Sequence, residues 1–120
     1  GGRIVHHLKH LLPGQRNCVA LVGYQAVGTR GRDLAEGARQ LKIHGQYVPV
    51  RAEVASIGGL SVHADSNELM AWLSSAPMTP DVVFVVHGEP VASRRLTDRI
   101  HDELDWLAVA PRMGEIVSLG

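Results

Sequence analysis

Two histidines stand where chemistry is commonly done. His63, in Ser61-Val62-His63-Ala64-Asp65, precedes a run of helical periodicity, and His87, in Val85-Val86-His87-Gly88-Glu89-Pro90, directly follows an apolar run. In an open α/β sheet, ligands meet the loops at the carboxyl ends of strands. Each histidine has a small neighbour, Ala64 or Gly88, that lets other groups approach, and an acid two residues downstream, Asp65 or Glu89. A carboxylate near an imidazole fixes its tautomer and raises its basicity, and an imidazole changes charge near neutrality. The pair therefore suits metal ligation or general acid–base work. The plainer reading is structural: Asp65 caps the helix that follows, and His63 is a loop residue.

Other candidates are weaker. His7 and His10 lie three apart on an expected helix, but two nitrogens do not close a tetrahedral metal site, so a solvated helix face is the expectation. No His-x-His occurs. The single cysteine, Cys18, excludes an intrachain disulfide and sits against Val19-Ala20-Leu21-Val22, which reads as a buried, inert thiol in a reducing cytoplasm. Gly28-Thr29-Arg30-Gly31 matches the G-x-x-G loop of KH modules, where backbone N–H groups meet phosphates. A KH loop should join two helices, whereas a strand and short linker are expected before this one.

The elements that must position these residues follow from periodicity. Residues 4–12 carry Ile4, Leu8 and Leu11/Leu12 at helical spacing and stop at Pro13-Gly14. Residues 18–23 read as a buried strand, Asp33 to Lys42 as a helix with Leu34, Ala38 and Leu41 on one face, and residues 46–56 as extended. A helix is expected from about Ser66 to Ser74, with Asp65 and Glu68 resembling a capping box. Asp81 to Val86 reads as a strand, Val91 to Leu104 as a helix, and Ala108 to Ala110 and Glu115 to Leu119 as short strands. Strand and helix alternating in this way imply an α/β layered sheet with parallel neighbours.

At 120 residues, 45% hydrophobic and 20% charged, the chain has the size and composition of one globular domain. No apolar run approaches a membrane span, so no membrane partner is expected. The formal net charge of zero conceals a split. Residues 1–51 hold eight Lys/Arg against two acids, and the remainder holds four against ten. A basic half is the footprint of a polyanion partner such as nucleic acid, although two opposed halves also attract each other across a fold. Trp72 and Trp106 read as core or interface residues, and Tyr24 and Tyr47 are too isolated to make a base-stacking platform. The chain opens on Gly1-Gly2 and enters a helix at once, which reads as a sequence cut from something longer.

Taken together, the segments resemble the metallo-β-lactamase/β-CASP family of RNA-processing nucleases. Ser61-Val62-His63-Ala64-Asp65 is similar to the family's S-A-H-x-D segment and Val85-Val86-His87-Gly88-Glu89-Pro90 to its V-H-G-E segment. Gly1-Gly2-Arg3 through Pro13, Val22-Gly23-Tyr24-Gln25, Gly28 to Arg32 and Val48 to Val54 also look like family segments. The resemblance implies that residues 1–53 are the C-terminal part of a β-CASP-like domain and residues 54–120 an RNA-specificity segment completing the metallo-β-lactamase domain. It implies two zinc ions in the complete enzyme, His87 as a zinc ligand, His63 as the group that contacts the scissile phosphate and protonates the leaving oxygen, and Asp65 as its orienting partner. Ser61, Thr29 and Arg32 become RNA- or phosphate-contacting candidates.

The family's main metal motif, H-x-H-x-D-H, is absent from this sequence. The expectation is that the chain alone is inactive and metal-free, that its partners are RNA and the missing N-terminal metallo-β-lactamase portion, and that an exposed apolar surface makes it a homodimer. The alternatives are a small KH-like RNA-binding module or a non-catalytic dimerisation piece.

Overall fold

A computed structural model of the chain describes residues 2–58, 61–87 and 89–110, with the side chains of residues 2–6, 62 and 90 left aside. The expected strand at Glu115 to Leu119 lies outside the described residues. In order, the elements are α1 (Gly2–Leu11), β1 (Asn17–Val22), α2 (Arg30–Ala35), β2 (Gln40–Ile43), β3 (Gln46–Pro49), β4 (Glu53–Ile57), α3 (Val62–Ser74), β5 (Val82–His87), α4 (Pro90–Leu104) and β6 (Ala108–Val109). Four strands form one all-parallel sheet in the order β4-β1-β5-β6.

The two central strands are continuous apolar runs because both their faces are covered. Val19 and Leu21 of β1 and Phe84 and Val86 of β5 point into one core, with Leu8 of α1, Leu12 just after it, Leu34 of α2 and Leu41, Ile43 and Val48. The alternate residues, Cys18, Ala20 and Val22 of β1 and Val83 and Val85 of β5, point into a second core with Leu69, Met70 and Leu73 of α3 and Leu96 and Ile100 of α4. Trp72 and Trp106 pack, half-buried, against this second core. The α3 and α4 crossovers carry the chain in one direction across the sheet and lie on one face. The β1-to-β4 connection runs the other way and lies on the opposite face, as right-handed crossovers require.

The expected helix over Asp33 to Lys42 is corrected. It stops at Ala35, since Gly37 takes a φ of +91° and closes a Schellman cap, with Gly37 N–H donating to Leu34 O at 3.1 Å and Ala38 N–H to Asp33 O at 3.0 Å. Residues 40–43 instead pair antiparallel with 46–49. The two-residue turn His44-Gly45, both at positive φ, is the geometry that matches the strands' twist. The extended stretch expected over 46–56 is likewise two strands, one in this hairpin and one at the edge of the main sheet. Leu12 O accepts from the N–H groups of Arg51 and Ala52 between them.

At the carboxyl edge of the sheet, β1 and β4 end on a close glycine contact. Gly23 N–H donates to Ile57 O at 2.7 Å, and a Cβ on Gly58 would stand 2.6 Å from Gly23 N. Gly58 also holds a φ of +146°, open only to glycine in practice. Gly58→Ala is therefore expected to cost about 2 kcal/mol or more from clash and strain together. Urea denaturation measures this, and an unchanged midpoint would show that the strand ends can separate freely.

Candidate active site

His87 is the last residue of β5 and pairs in register with Val22, the last residue of β1. The chain leaves β1 toward β4 and leaves β5 toward β6, in opposite directions, so the crevice beyond these two strand ends is a topological switch point. The ring is buried, at 8% exposure. Its Nδ1 accepts from the backbone N–H of Glu89 at 2.9 Å, so in the neutral ring the proton sits on Nε2. It is thus the backbone N–H of Glu89, not the carboxylate suggested by the spacing, that fixes this tautomer. Ser93 Oγ donates to His87 O at 3.5 Å and ties the strand end to the first turns of α4.

The start of α3 differs from expectation. The helix begins at Val62 and its N-cap is Ser61, whose Oγ accepts from Ala64 N–H at 3.1 Å. Asp65 therefore lies inside the first turn, where a negative charge suits the helix dipole, and it does not cap. Ser and Asp cap about equally well, and burial decided between them: starting at Val62 puts Asp65, Leu69 and Leu73 in one inward stripe. His63, two residues earlier, points the other way and is exposed. Residues at that spacing do not face each other on a helix. No hydrogen bond joins Asp65 to His63 among the described residues; the His63 ring meets Asn67, with Nε2 3.5 Å from Asn67 Nδ2.

Asp65 has its own anomaly. It is 6% exposed, and its Oδ1 has no hydrogen-bond partner among the described residues. A buried carboxylate oxygen without a partner is costly, which makes it a place where a donor or cation from elsewhere would be stabilised. Zinc takes imidazole nitrogen and carboxylate oxygen, so His87 and Asp65 are donors of the right kind. In the tautomer that the Glu89 N–H fixes, Nδ1 is occupied and Nε2 carries the proton, so His87 offers a lone pair to a metal only once that hydrogen bond is given up. No group of three or more His, Cys, Asp or Glu placed to hold a metal is found among the described residues. These residues fit a share of a zinc coordination sphere and not a whole one.

Thr29 and Arg32 have internal work. Thr29 caps α2, accepting from Arg32 N–H at 3.2 Å and donating to Ala26 O at 2.6 Å. Arg32 Nη1 donates to Gln25 O at 3.2 Å, and its Nε stands 3.4 Å from Glu36 Oε1. The loop they stitch leaves β1 at the same edge as His87. It follows a strand and opens a six-residue helix, so it does not join two helices as a KH loop does. His7 and His10 are exposed on α1, and the His7 ring lies 5.8 Å from that of Phe84.

The opposite edge of the sheet holds a cavity of about 320 Å³ between the start of β1, the end of α3 and residues 75–80, lined by Trp72, Leu73, Pro77 and Met78 among others. No histidine lines it. Nearby, burial foremost and then the Glu53 carboxylate push the Cys18 thiol up to about 12. A raised acid stabilises the fold below its unfolded value, about 9, and that stability is lost as the pH climbs from there toward 12. Cys18 is accordingly expected to resist alkylation at pH 8 in the native chain, and fast labelling there would contradict its burial.

Residues 47–111 match the family model of the Zn-dependent metallo-hydrolase RNA specificity domain, and residues 1–34 match that of the Beta-Casp domain. The two matched stretches share one sheet, with β1 of the first lying between β4 and β5 of the second. The chain is 45% identical over 89 residues to Ribonuclease TTHA0252 of Thermus thermophilus, covering 74% of this chain and 20% of that protein. It is 36% identical over 124 aligned positions to the Transcription termination factor FttA of Pyrococcus abyssi, covering 99% and 19%. To the RNase J-like protein of Methanocaldococcus jannaschii it is 34% identical over 119 positions, covering 99% and 28%. The chain thus spans a fifth to somewhat over a quarter of the length of these relatives. No helix among the described residues is long and apolar enough to cross a membrane.

Proposed function

This chain belongs to the family of Zn-dependent metallo-hydrolase RNA specificity domains, and from that premise we propose that it contributes two histidines to a centre that cleaves RNA phosphodiester bonds. The observation that carries the reading is the placement of His87, a buried imidazole at the β1/β5 switch point, on the same sheet edge as the first turn of α3 with His63. The relative named as a ribonuclease supports RNA as the substrate class. The division at residues 53 and 54, between a β-CASP-like part and an RNA-specificity part, belongs to the same reading.

His87 would be one zinc ligand once the Glu89 N–H releases its Nδ1, with further ligands coming from residues outside these 120. Zinc, when bound, activates a water and neutralises charge developing on the phosphate. The chain's own residues do the rest. His63, exposed on the first turn of α3, contacts the scissile phosphate and gives a proton to the leaving oxygen, a role suited to an imidazole near neutral pH. Asp65 serves the edge through its unpartnered oxygen, which accepts a donor arriving with the rest of the site, since the helix turns it away from His63. Ser61, Thr29 and Arg32 shape the two loops that border the crevice, and the basic residues of the first half draw the polyanion toward it.

Metal content of the purified chain, with an RNA-cleavage assay in added zinc, tests the division of labour. The expected result is no stoichiometric zinc and no cleavage, because one imidazole and one carboxylate do not hold the ion tightly. Stoichiometric zinc with turnover would overturn it.

A further inference from the structure

The contact between His63 and Asn67 is part of a longer chain of side chains. Asn67 Oδ1 accepts from Arg99 Nη1 of α4 at 2.8 Å, and the same Nη1 donates to Ser66 Oγ at 2.8 Å. Arg99 is in turn held by Glu103, one turn further along α4. Guanidinium groups only donate, so the Asn67 amide has its oxygen toward Arg99 and its NH2 toward the histidine. An NH2 group facing Nε2 requires that nitrogen to accept, which leaves the proton of the neutral ring on Nδ1. Nδ1 has no hydrogen-bond partner among the described residues.

We propose that Asn67, locked by Arg99, is a positioning residue that holds the His63 imidazole through Nε2 and leaves Nδ1 as the nitrogen presented to the phosphodiester. The inference rests on the proposed role of His63, but the tautomer it specifies is a property of the chain itself. The lock has a clear logic. His63 is exposed on a helix and would otherwise sample several rotamers and both tautomers, whereas proton transfer needs one nitrogen at one place. Arg99 reaches across from the neighbouring helix, so the ring's orientation is set by the packing of α3 on α4. Asp65, the acid two residues downstream, has no part in it. The Asn67 contact belongs to the neutral ring, which it holds with Nδ1–H toward the phosphodiester, because in the imidazolium both nitrogens donate. For proton transfer Nε2 first takes a proton from solvent and lets go of Asn67, and the imidazolium then gives Nδ1–H to the leaving oxygen. The Nε2 proton returns to solvent as Nδ1 is reprotonated, which restores the contact.

The test reads the ring directly. In the uniformly nitrogen-15-labelled 120-residue chain at about pH 9, where an ordinary imidazole is neutral, two-bond correlations report which ring nitrogen carries the proton. The expected majority form of His63 is Nδ1–H in the wild type. Asn67→Asp places an acceptor where the donor was and is expected to switch the majority to Nε2–H, and Arg99→Gln is expected to shift it the same way by freeing the amide to turn. A wild-type ring that is mostly Nε2–H, or a tautomer indifferent to Asn67→Asp, overturns the proposal. In the complete enzyme, Asn67→Ala is expected to lower kcat about 10- to 100-fold with KM little changed. Full activity in Asn67→Ala also counts against it. Wild-type cleavage by His63→Ala, with the tautomer as expected, would instead overturn the role of His63 and leave the positioning contact standing.

Discussion

On the proposed function, His87→Asn in the full-length protein is expected to reduce bound zinc and to lower RNA cleavage by about a thousand-fold or more, while His63→Ala lowers cleavage by about 100- to 10,000-fold with zinc unchanged. The two losses differ because the two rings are placed differently. His87 is buried at the end of a central strand and held by the backbone N–H of Glu89. His63 is exposed on the first turn of α3. Asparagine at position 87 keeps an acceptor for the Glu89 N–H, whereas alanine would leave that donor unpaired at a cost of about 1–3 kcal/mol and confuse metal loss with unfolding. Elemental analysis and single-turnover cleavage, read beside thermal denaturation, separate the effects. Full zinc and rate in His87→Asn would end its assignment as a ligand.

Phe84→Ala is expected to destabilise the chain by about 3–5 kcal/mol, the range for truncating a fully buried aromatic ring. Phe84 is 1% exposed in the middle of β5, with β1 on one side and β6 on the other, and its ring fills the core beneath α1 and the hairpin. A domain of this size has about 5–15 kcal/mol of stability in all, so the variant loses a large share of it. Guanidinium denaturation followed by far-ultraviolet dichroism measures the change. A loss below about 1 kcal/mol would mean that α1 and the hairpin settle into the space, and that this face of the sheet is loosely packed.

Much of the fold was legible in the residues. Residues 18–23 and Asp81 to Val86 read as strands, and β1 and β5 cover most of them, because a strand covered on both faces has no reason to alternate. The spacing of Leu96, Ile100 and Leu104 marked α4 for the same kind of reason: the period of an element is imposed by its backbone and shows wherever one side meets a core. His87 does end a strand, whereas His63 lies in the first turn of α3, and the motifs around both carried the family resemblance.

What the residues left open were choices between local rules of similar strength. Leu34, Ala38 and Leu41 have helical spacing, yet Gly37 ends the helix and Leu41 faces the core from a strand, because a left-handed glycine with its cap and a tight hairpin outweigh a weak propensity. Ser61 and Asp65 are both good caps, and the burial of one inward stripe chose Ser61. The same choice moved Asp65 away from His63, to which its spacing had seemed to assign it. The partner that does meet His63 depends on Arg99, 32 residues further along from Asn67, and no pattern within a turn or two of helix can encode a contact at that separation. Periodicity and capping act over a few residues, so they are written into the chain; the meeting of α3 with α4 exists only once both have packed on the same face of the sheet.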